Sequence, residues 1–262
     1  MGKGNKIISV INQKGGVGKT TTSINLATAL SVFEKSILLI DLDPQANLST
    51  GMGVTDKKGS IYNVFAEEKN INDAVIQTSI PNISIIPSNQ HLAAFDIEVA
   101  NIQNKEHLLD QKLQILEGLY DYIFIDCAPS LNQLTINALT ASNSVLVPLQ
   151  CEFFALGGIA SILEIVHAIK SNLNPKLSIE GIVLTMYDRR NRLCREIVDD
   201  VRKNFNNMVY NQVIPRNIKL SEATSHGKPA ILYDSNCSGS IAYMLLAQEI
   251  LNKQKVYDTG SI

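Results

Sequence analysis

Apolar and polar positions along this chain fall into blocks that read, again and again, as strand, turn and helix. Ile7–Ile11 is an apolar run broken only by Ser9 and reads as a buried strand. A helical pattern follows from Thr20 to about Phe33, with Ile24, Ala27, Leu30 and Phe33 on one side. Ser36–Asp41, SILLID, is apolar on both faces, as parallel strands covered by helices are. Ile83–Pro87, Asp121–Asp126, Ser144–Leu149, Leu177–Met186 and Met208–Ile214 read as further strands. Helices are predicted near Ile61–Glu67 and Ile71–Val75, and over Asn104–Tyr120, Ala155–Asn172, Asn191–Phe205 and Gly239–Asn252. Leu108, Leu109, Leu113, Leu116 and Leu119 form the apolar face of the Asn104–Tyr120 helix and read as core. Residues 46–60 are polar and Gly-rich and predict an irregular loop. The alternation predicts an α/β fold of three layers, α/β/α, around a mainly parallel, doubly wound sheet. With no repeat, low-complexity segment or Pro-rich linker, residues 1–262 read as one domain with a polar tail from about 253.

Within this frame, QKGGVGKTTT at 13–22 sits between the first strand and the first helix, where a phosphate-binding loop belongs. Glycines let backbone N–H groups converge on an anion, and the helix N-terminus adds its own free N–H groups. Gly18, Lys19 and Thr20 match G-x-x-x-x-G-K-[ST], with Lys19 placed for the β- and γ-phosphates and Thr20 for Mg²⁺. The first Gly of that pattern is replaced by Gln13, and a second lysine, Lys14, precedes Gly15 and Gly16. Asp41-Leu42-Asp43-Pro44-Gln45 ends the second strand beside the loop. Asp-Pro is a common turn dipeptide, but the position at a strand end beside the loop favours carboxylates that serve Mg²⁺ or a hydrolytic water. Asp126 closes the strand YIFID after four apolar residues, as a Walker B acid does, and would hold Mg²⁺ through water opposite Thr20. Cys127-Ala128-Pro129-Ser130 follows as a turn at the γ-phosphate.

Composition narrows the picture. Of 262 residues, 45% are hydrophobic and 18% charged, an ordinary globular balance, and the net charge of −2 advertises neither nucleic acid nor membrane. The four cysteines form no C-x-x-C and read as reduced thiols of a cytoplasmic protein. Too few residues precede the first strand for a secretory leader, and Lys6 stands where a myristoylation pattern needs Ser or Thr. No apolar run approaches a membrane span. The charge is uneven, however: from Tyr187 to Leu220, eight Lys/Arg face four Asp/Glu, a local balance of +4. That fits phosphate contacts with DNA, and it fits a solvated helix with internal pairs such as Arg195 with Asp199 equally well.

KGGVGKTTT at 14–22, LLIDLDPQ at 38–45, YDYIFIDCAPS at 120–130, VPLQCEFFALGG at 147–158, IEGIVLTMYD at 179–188 and VIPRNIKLSEATSHGKP at 213–229 together resemble the ParA/Soj family of deviant Walker ATPases, of the P-loop type. The likeness runs from about Lys6 to Leu251. It departs at Ala128, where that branch usually has Pro, and at Lys219, where it usually has Arg. It implies ATP and Mg²⁺ as cofactors, bound at Lys14, Gly15, Gly16, Val17, Gly18, Lys19, Thr20 and Thr21, with Pro215 and Asn217 against the adenine and Thr20 and Asp126 on the metal. It implies a homodimer on ATP binding, in which Lys14 reaches the partner's phosphates, and a hydrolytic role for Asp43 in placing water. It further implies non-specific double-stranded DNA binding through Arg190 and Lys219, a ParB-like stimulating partner, and nucleoid association of a cytoplasmic protein. A MinD-like membrane-associated division-site ATPase is the alternative, but Asn252–Ile262 has too little apolar area to insert. A redox role like that of the nitrogenase iron protein would need cluster-bridging cysteines, which this spacing does not offer.

Overall fold

The computed structural model describes residues 4–55, 59–153 and 155–259. Its strands are β1 (Lys6–Val10), β2 (Ile37–Leu42), β3 (Ile76–Gln77), β4 (Ile83–Ile86), β5 (Tyr122–Cys127), β6 (Ser144–Gln150) and β7 (Ser178–Thr185). They form one sheet in the order β3-β4-β2-β5-β1-β6-β7. All pairings are parallel except the short edge pair β3–β4. The expected mainly parallel, doubly wound α/β sheet is therefore present.

The period-2 geometry of strands sorts the apolar side chains into two layers. Ile37 and Leu39 of β2, with Tyr122 and Phe124 of β5, pack against Ile24, Leu26, Ala27 and Leu30 of the Lys19–Val32 helix. Leu38, Ile40 and Leu42, with Ile123 and Ile125, face the opposite layer, where Leu134, Ala138, Ile159 and Ile162 lie. Each such aliphatic side chain contributes roughly 1.5–3 kcal/mol relative to exposure. The same parity assigns the two acids at the strand ends. Asp41 follows Ile37 and Leu39, Asp126 follows Tyr122 and Phe124, and the two are register partners on adjacent strands. Both therefore point to the layer of the helix that begins at Lys19.

Several sequence expectations need correction. The Asn104–Tyr120 helix is broken into a 3-10 turn at Lys105–His107, an α-helical stretch at Leu108–Leu113 and another 3-10 turn at Gln114–Leu116. Asn137 of the Gln133–Ala141 helix explains the break: its side chain accepts from Leu109 N at 3.1 Å and donates to Lys105 O at 2.8 Å. Leu109, Leu113 and Leu116 are buried as expected, but Leu119 is exposed. The predicted loop at 46–60 contains a short helix, Asn47–Gly51, anchored by Ser49 N donating to the Asp41 carboxylate at 2.8 Å. The Gln133–Ala141 helix, started by the Asn132 side chain accepting from Thr135 N at 3.1 Å, had no counterpart in the sequence reading. The last helix runs from Ser238 to Thr259, so the expected polar tail is helical over its described part.

Met208–Ile214 is not a strand. It follows the edge of β7 with two separate bonds, Tyr210 N to Ile182 O at 3.0 Å and Ile214 N to Leu184 O at 2.8 Å. Between them the Glu249 carboxylate of the last helix takes Asn211 N and Gln212 N, so a side chain stands where a neighbouring strand would. The segment is seated by Tyr210, which is buried against Gly181. A Cβ at Gly181 would lie 2.3 Å from the Tyr210 ring. Gly181→Ala should therefore destabilise the fold by about 1–3 kcal/mol through overpacking. Urea denaturation should show that penalty shrinking in a Tyr210→Ala background.

Candidate functional site

The site is built where β1 ends and the Lys19–Val32 helix begins, at the C-terminal edge of the sheet. The connecting loop is stapled in place from two strands. Asn12, buried, donates from Nδ2 to Pro148 O at 2.8 Å and accepts Lys14 N on Oδ1 at 3.0 Å. Thr185, at the end of β7, donates to Val17 O at 2.8 Å. Gly16 and Gly18 take φ of 76° and 93°, a region that residues with a Cβ rarely occupy. The loop leads directly into the first turn of the helix, at Lys19, Thr20 and Thr21.

The two lysines of the loop have different fates. Lys19 is 7% exposed, and its Nζ donates to Lys14 O at 3.1 Å. Burial lowers its pKa from the ordinary lysine value, and the nearby Asp126 carboxylate opposes that shift. Lys14 turns away: its side chain is 52% exposed and its ammonium pairs with the Glu152 carboxylate just beyond β6.

Below Lys19 lies a buried hydroxyl–carboxylate cluster. Thr20 Oγ1 donates to Asp126 Oδ2 at 2.7 Å, and Ser23 Oγ to Asp126 Oδ1 at 2.8 Å. Burial, with Asp41 adding like charge, raises the Asp126 carboxyl to about 7. Burial raises Asp41 to about 6, against the opposing hydrogen bonds from Ser49 and from the Asp43 backbone. The two carboxylates of the LIDLDP turn thus part company. Asp41 is fully buried and accepts from Ser49 Oγ at 2.6 Å, Ser49 N at 2.8 Å and Asp43 N at 3.2 Å, which commits it to holding the turn. Asp43 is half-buried beyond the strand end, with one oxygen accepting Gln45 N at 2.9 Å.

A second cluster lies beyond β7. Tyr187 N donates to Ile214 O, and Arg216 N to Tyr187 O, both at 3.0 Å, which stitches 187–190 to 214–217. Asn217 caps the Ile218–Ser225 helix by accepting Lys219 N at 2.8 Å, and donates to Ser238 Oγ at 2.7 Å. Arg190 and Lys219 sit on either side of this seam. Among the described residues, no hydrogen bond or ion pair joins Pro215, Asn217, Arg190 or Lys219 to residues 13–22.

A family profile described as an AAA domain matches residues 5–179. The chain is 46% identical over 254 residues to the chromosome partitioning protein ParA of Caulobacter vibrioides, covering 95% of each. It is 44% identical over 246 residues to the chromosome-partitioning ATPase Soj of Treponema pallidum, covering 94% of this chain and 97% of that one. The chain belongs to the ParA/Soj family. Among solved structures, the fold is similar to cobyrinic acid a,c-diamide synthase from Mycobacterium smegmatis with bound ADP and magnesium. That likeness has a TM-score of 0.84 and 32% identity and covers 96% of both chains.

For a ParA/Soj ATPase, the loop lysines, Thr20, Asp43 and Asp126 gather at one strand edge, whereas the adenine and DNA candidates form the separate cluster. Residues absent from the sequence reading are Asn12, Ser23, Glu152 and Thr185. Ser23 had a legible signal, standing one helical turn after Thr20. Glu152, at the far end of another strand, had none. Because the buried pair keeps its protons to higher pH than unfolded carboxylates, which titrate near 4, the stability it contributes is full below about pH 4 and lost as pH rises through 6–7. The urea midpoint of the magnesium- and nucleotide-free protein, measured relative to Asp126→Asn, should fall across that window.

Proposed function

We propose that this chain is an ATP-driven DNA-partitioning switch. Two copies close face to face over two ATP molecules, the closed pair grips DNA without sequence preference, and a ParB-like partner stimulates hydrolysis. The observation that carries this reading is the divergence of the loop lysines. Lys19 is buried near Asp126 of its own subunit, while Lys14 is half-exposed and pairs with Glu152, away from those acids. A cation so placed suits a phosphate on a neighbouring molecule, as an arginine finger supplied in trans does.

The residues present fit the nucleotide and its metal. The open curve from Gly15 to Gly18 leaves space beside the glycines, with nothing within 4 Å of a Cβ at Gly15 or Gly16. Lys14, Gly15, Gly16, Val17, Gly18, Lys19, Thr20 and Thr21 would cradle the phosphates, and Pro215 and Asn217 would contact the adenine. Thr20 and Asp126 would hold Mg²⁺, which supplies charge neutralisation between the β- and γ-phosphates. Asp43, beyond the strand end and with only one oxygen hydrogen-bonded among the described residues, orients the attacking water. Lys19 lies where it stabilises the charge that develops on the phosphates as the bond to ADP breaks. Arg190 and Lys219 contact DNA phosphates. The whole chain, 1–262, acts as one domain, cytoplasmic and nucleoid-associated when ATP-bound. No described helix is long and apolar enough to cross a membrane.

Light scattering with a non-hydrolysable ATP analogue tests the central step. Wild type should double in mass, whereas Lys14→Ala should bind the analogue and remain single, with ATP turnover reduced by roughly 10³-fold or more. A Lys14→Ala protein that still doubles would overturn the role in trans. Asp43→Ala should bind ATP and pair normally but turn over about 10²-fold more slowly or worse, the usual scale for losing a positioned catalytic group. Turnover at the wild-type rate would remove Asp43 from the mechanism.

A further inference from the structure

Resting on the DNA reading above, we propose that Asp188 and Glu222 occupy the cations that take DNA phosphates, so that these two carboxylates set how strongly the protein retains DNA. Asp188 fills the fork of Arg190: Nε donates to Oδ1 at 3.1 Å and a terminal nitrogen to Oδ2 at 2.9 Å, while Arg190 N also donates to Oδ1 at 3.0 Å. A guanidinium engaged in this way presents to a carboxylate the same two donors with which it grips a phosphate. Lys219 Nζ is held by Glu222 Oε2 at 2.8 Å, one turn along the same helix, and Tyr233 OH donates to that oxygen at 3.3 Å.

The layout favours competition over a purely structural pairing. Arg190 is 85% exposed and Asp188 27%, so the carboxylate lies underneath and the guanidinium on top, open to an approaching phosphate. Asp188 is fixed from below, because Tyr187 is bonded through its backbone to Ile214 and Arg216. Arg216 adds a second positive charge near Asp188, and its side chain has no ion pair among the described residues. Both carboxylates stay ionised at neutral pH, Asp188 being held down to about 2 by its bonds with Arg190, and Glu222 being lowered by Lys219. Exposed pairs of this kind cost little to open, so the carboxylates tune DNA affinity and do not block it.

The test compares full-length wild type, Asp188→Asn with Glu222→Gln, and Asp199→Asn with Asp200→Asn. Asp199 and Asp200 form no ion pair among the described residues and lie on the basic Arg192–Phe205 helix, so that variant removes two negative charges without freeing either cation. Each protein is loaded with a non-hydrolysable ATP analogue and titrated onto a random-sequence duplex from about 50 to 200 mM salt, the range over which phosphate contacts weaken most visibly. The Asp188→Asn, Glu222→Gln protein should bind roughly threefold to tenfold more tightly. Its log–log salt slope should steepen by up to about 0.9 for each cation released. The Asp199→Asn, Asp200→Asn protein should show a clearly smaller gain and an unchanged slope. Equal gains in the two variants, or no gain in the first, would overturn the proposal. Arg190→Ala with Lys219→Ala separates the two levels. If that protein loses DNA while the first variant behaves as wild type, the carboxylate proposal fails alone; if it binds DNA as wild type does, the assignment of Arg190 and Lys219 as the DNA contacts beneath it fails as well.

Discussion

Lys19 gives up most of its water to the protein, and what lies beneath it is negative charge: Asp126 bonded to Thr20 and Ser23, with Asp41 beside it on the next strand. Burying an ammonium and two carboxyls is costly unless each finds partners, and the surrounding elements supply them. The parallel register of β2 with β5 sets the two acids side by side. The helix that starts at Lys19 brings Thr20 and Ser23 down onto one of them, while the Asn47–Gly51 turn encloses the other. Lys19 itself rests on the carbonyl of Lys14, a neutral oxygen, with its charge only partly compensated. Bonds to Pro148 of β6, made by Asn12, and from Thr185 of β7 fasten the loop to the two strands on one side of β1.

Much of this was legible in the sequence because it depends on local rules. ILLID at 37–41 and YIFID at 122–126 are apolar on both faces and close on an acid, as the sequence shows; the packing of Ile37, Leu39, Tyr122 and Phe124 on the Lys19–Val32 helix then puts Asp41 and Asp126 on that face by period-2 parity. The glycines at 16 and 18 stand where positive φ is needed. The ParA/Soj likeness rests on those blocks, and the comparisons uphold it. Burial separates Asp41 from Asp43: the first is held by its own turn, and the second, named by the resemblance alone, lies half-buried at the edge.

The remainder was illegible because it depends on side chains that arrive from distant elements. Met208–Ile214 has the composition of a strand, yet Glu249 of the last helix takes the backbone groups a partner strand would need. The Asn104–Tyr120 pattern is helical by periodicity and is interrupted by Asn137, which binds the backbone at both Lys105 and Leu109. The pairing of Lys14 with Glu152 spans most of the sheet in sequence. On the Arg192–Phe205 helix, the (i, i+4) ion pair among the described residues is Arg192 with Glu196 at 2.7 Å, whereas the spacing suggested Arg195 with Asp199 equally well. Periodicity identifies which residues share a face and leaves undetermined which of them touch.

Among the described residues, no hydrogen bond or ion pair joins the two clusters of the proposed scheme directly, and any coupling between them runs through intervening backbone. Pro215 and Asn217, the adenine candidates, follow Ile214, whose carbonyl accepts from Tyr187. Asp188, which holds Arg190, is the next residue after Tyr187, and Asn217 caps the helix that carries Lys219 and Glu222. A nucleotide base pressing on 215–217 would therefore act on the same short seam that positions both cation–carboxylate pairs. Exposed ion pairs are soft, with energies of about 0–1 kcal/mol, so a small displacement of their backbone supports suffices to change which partner each cation holds.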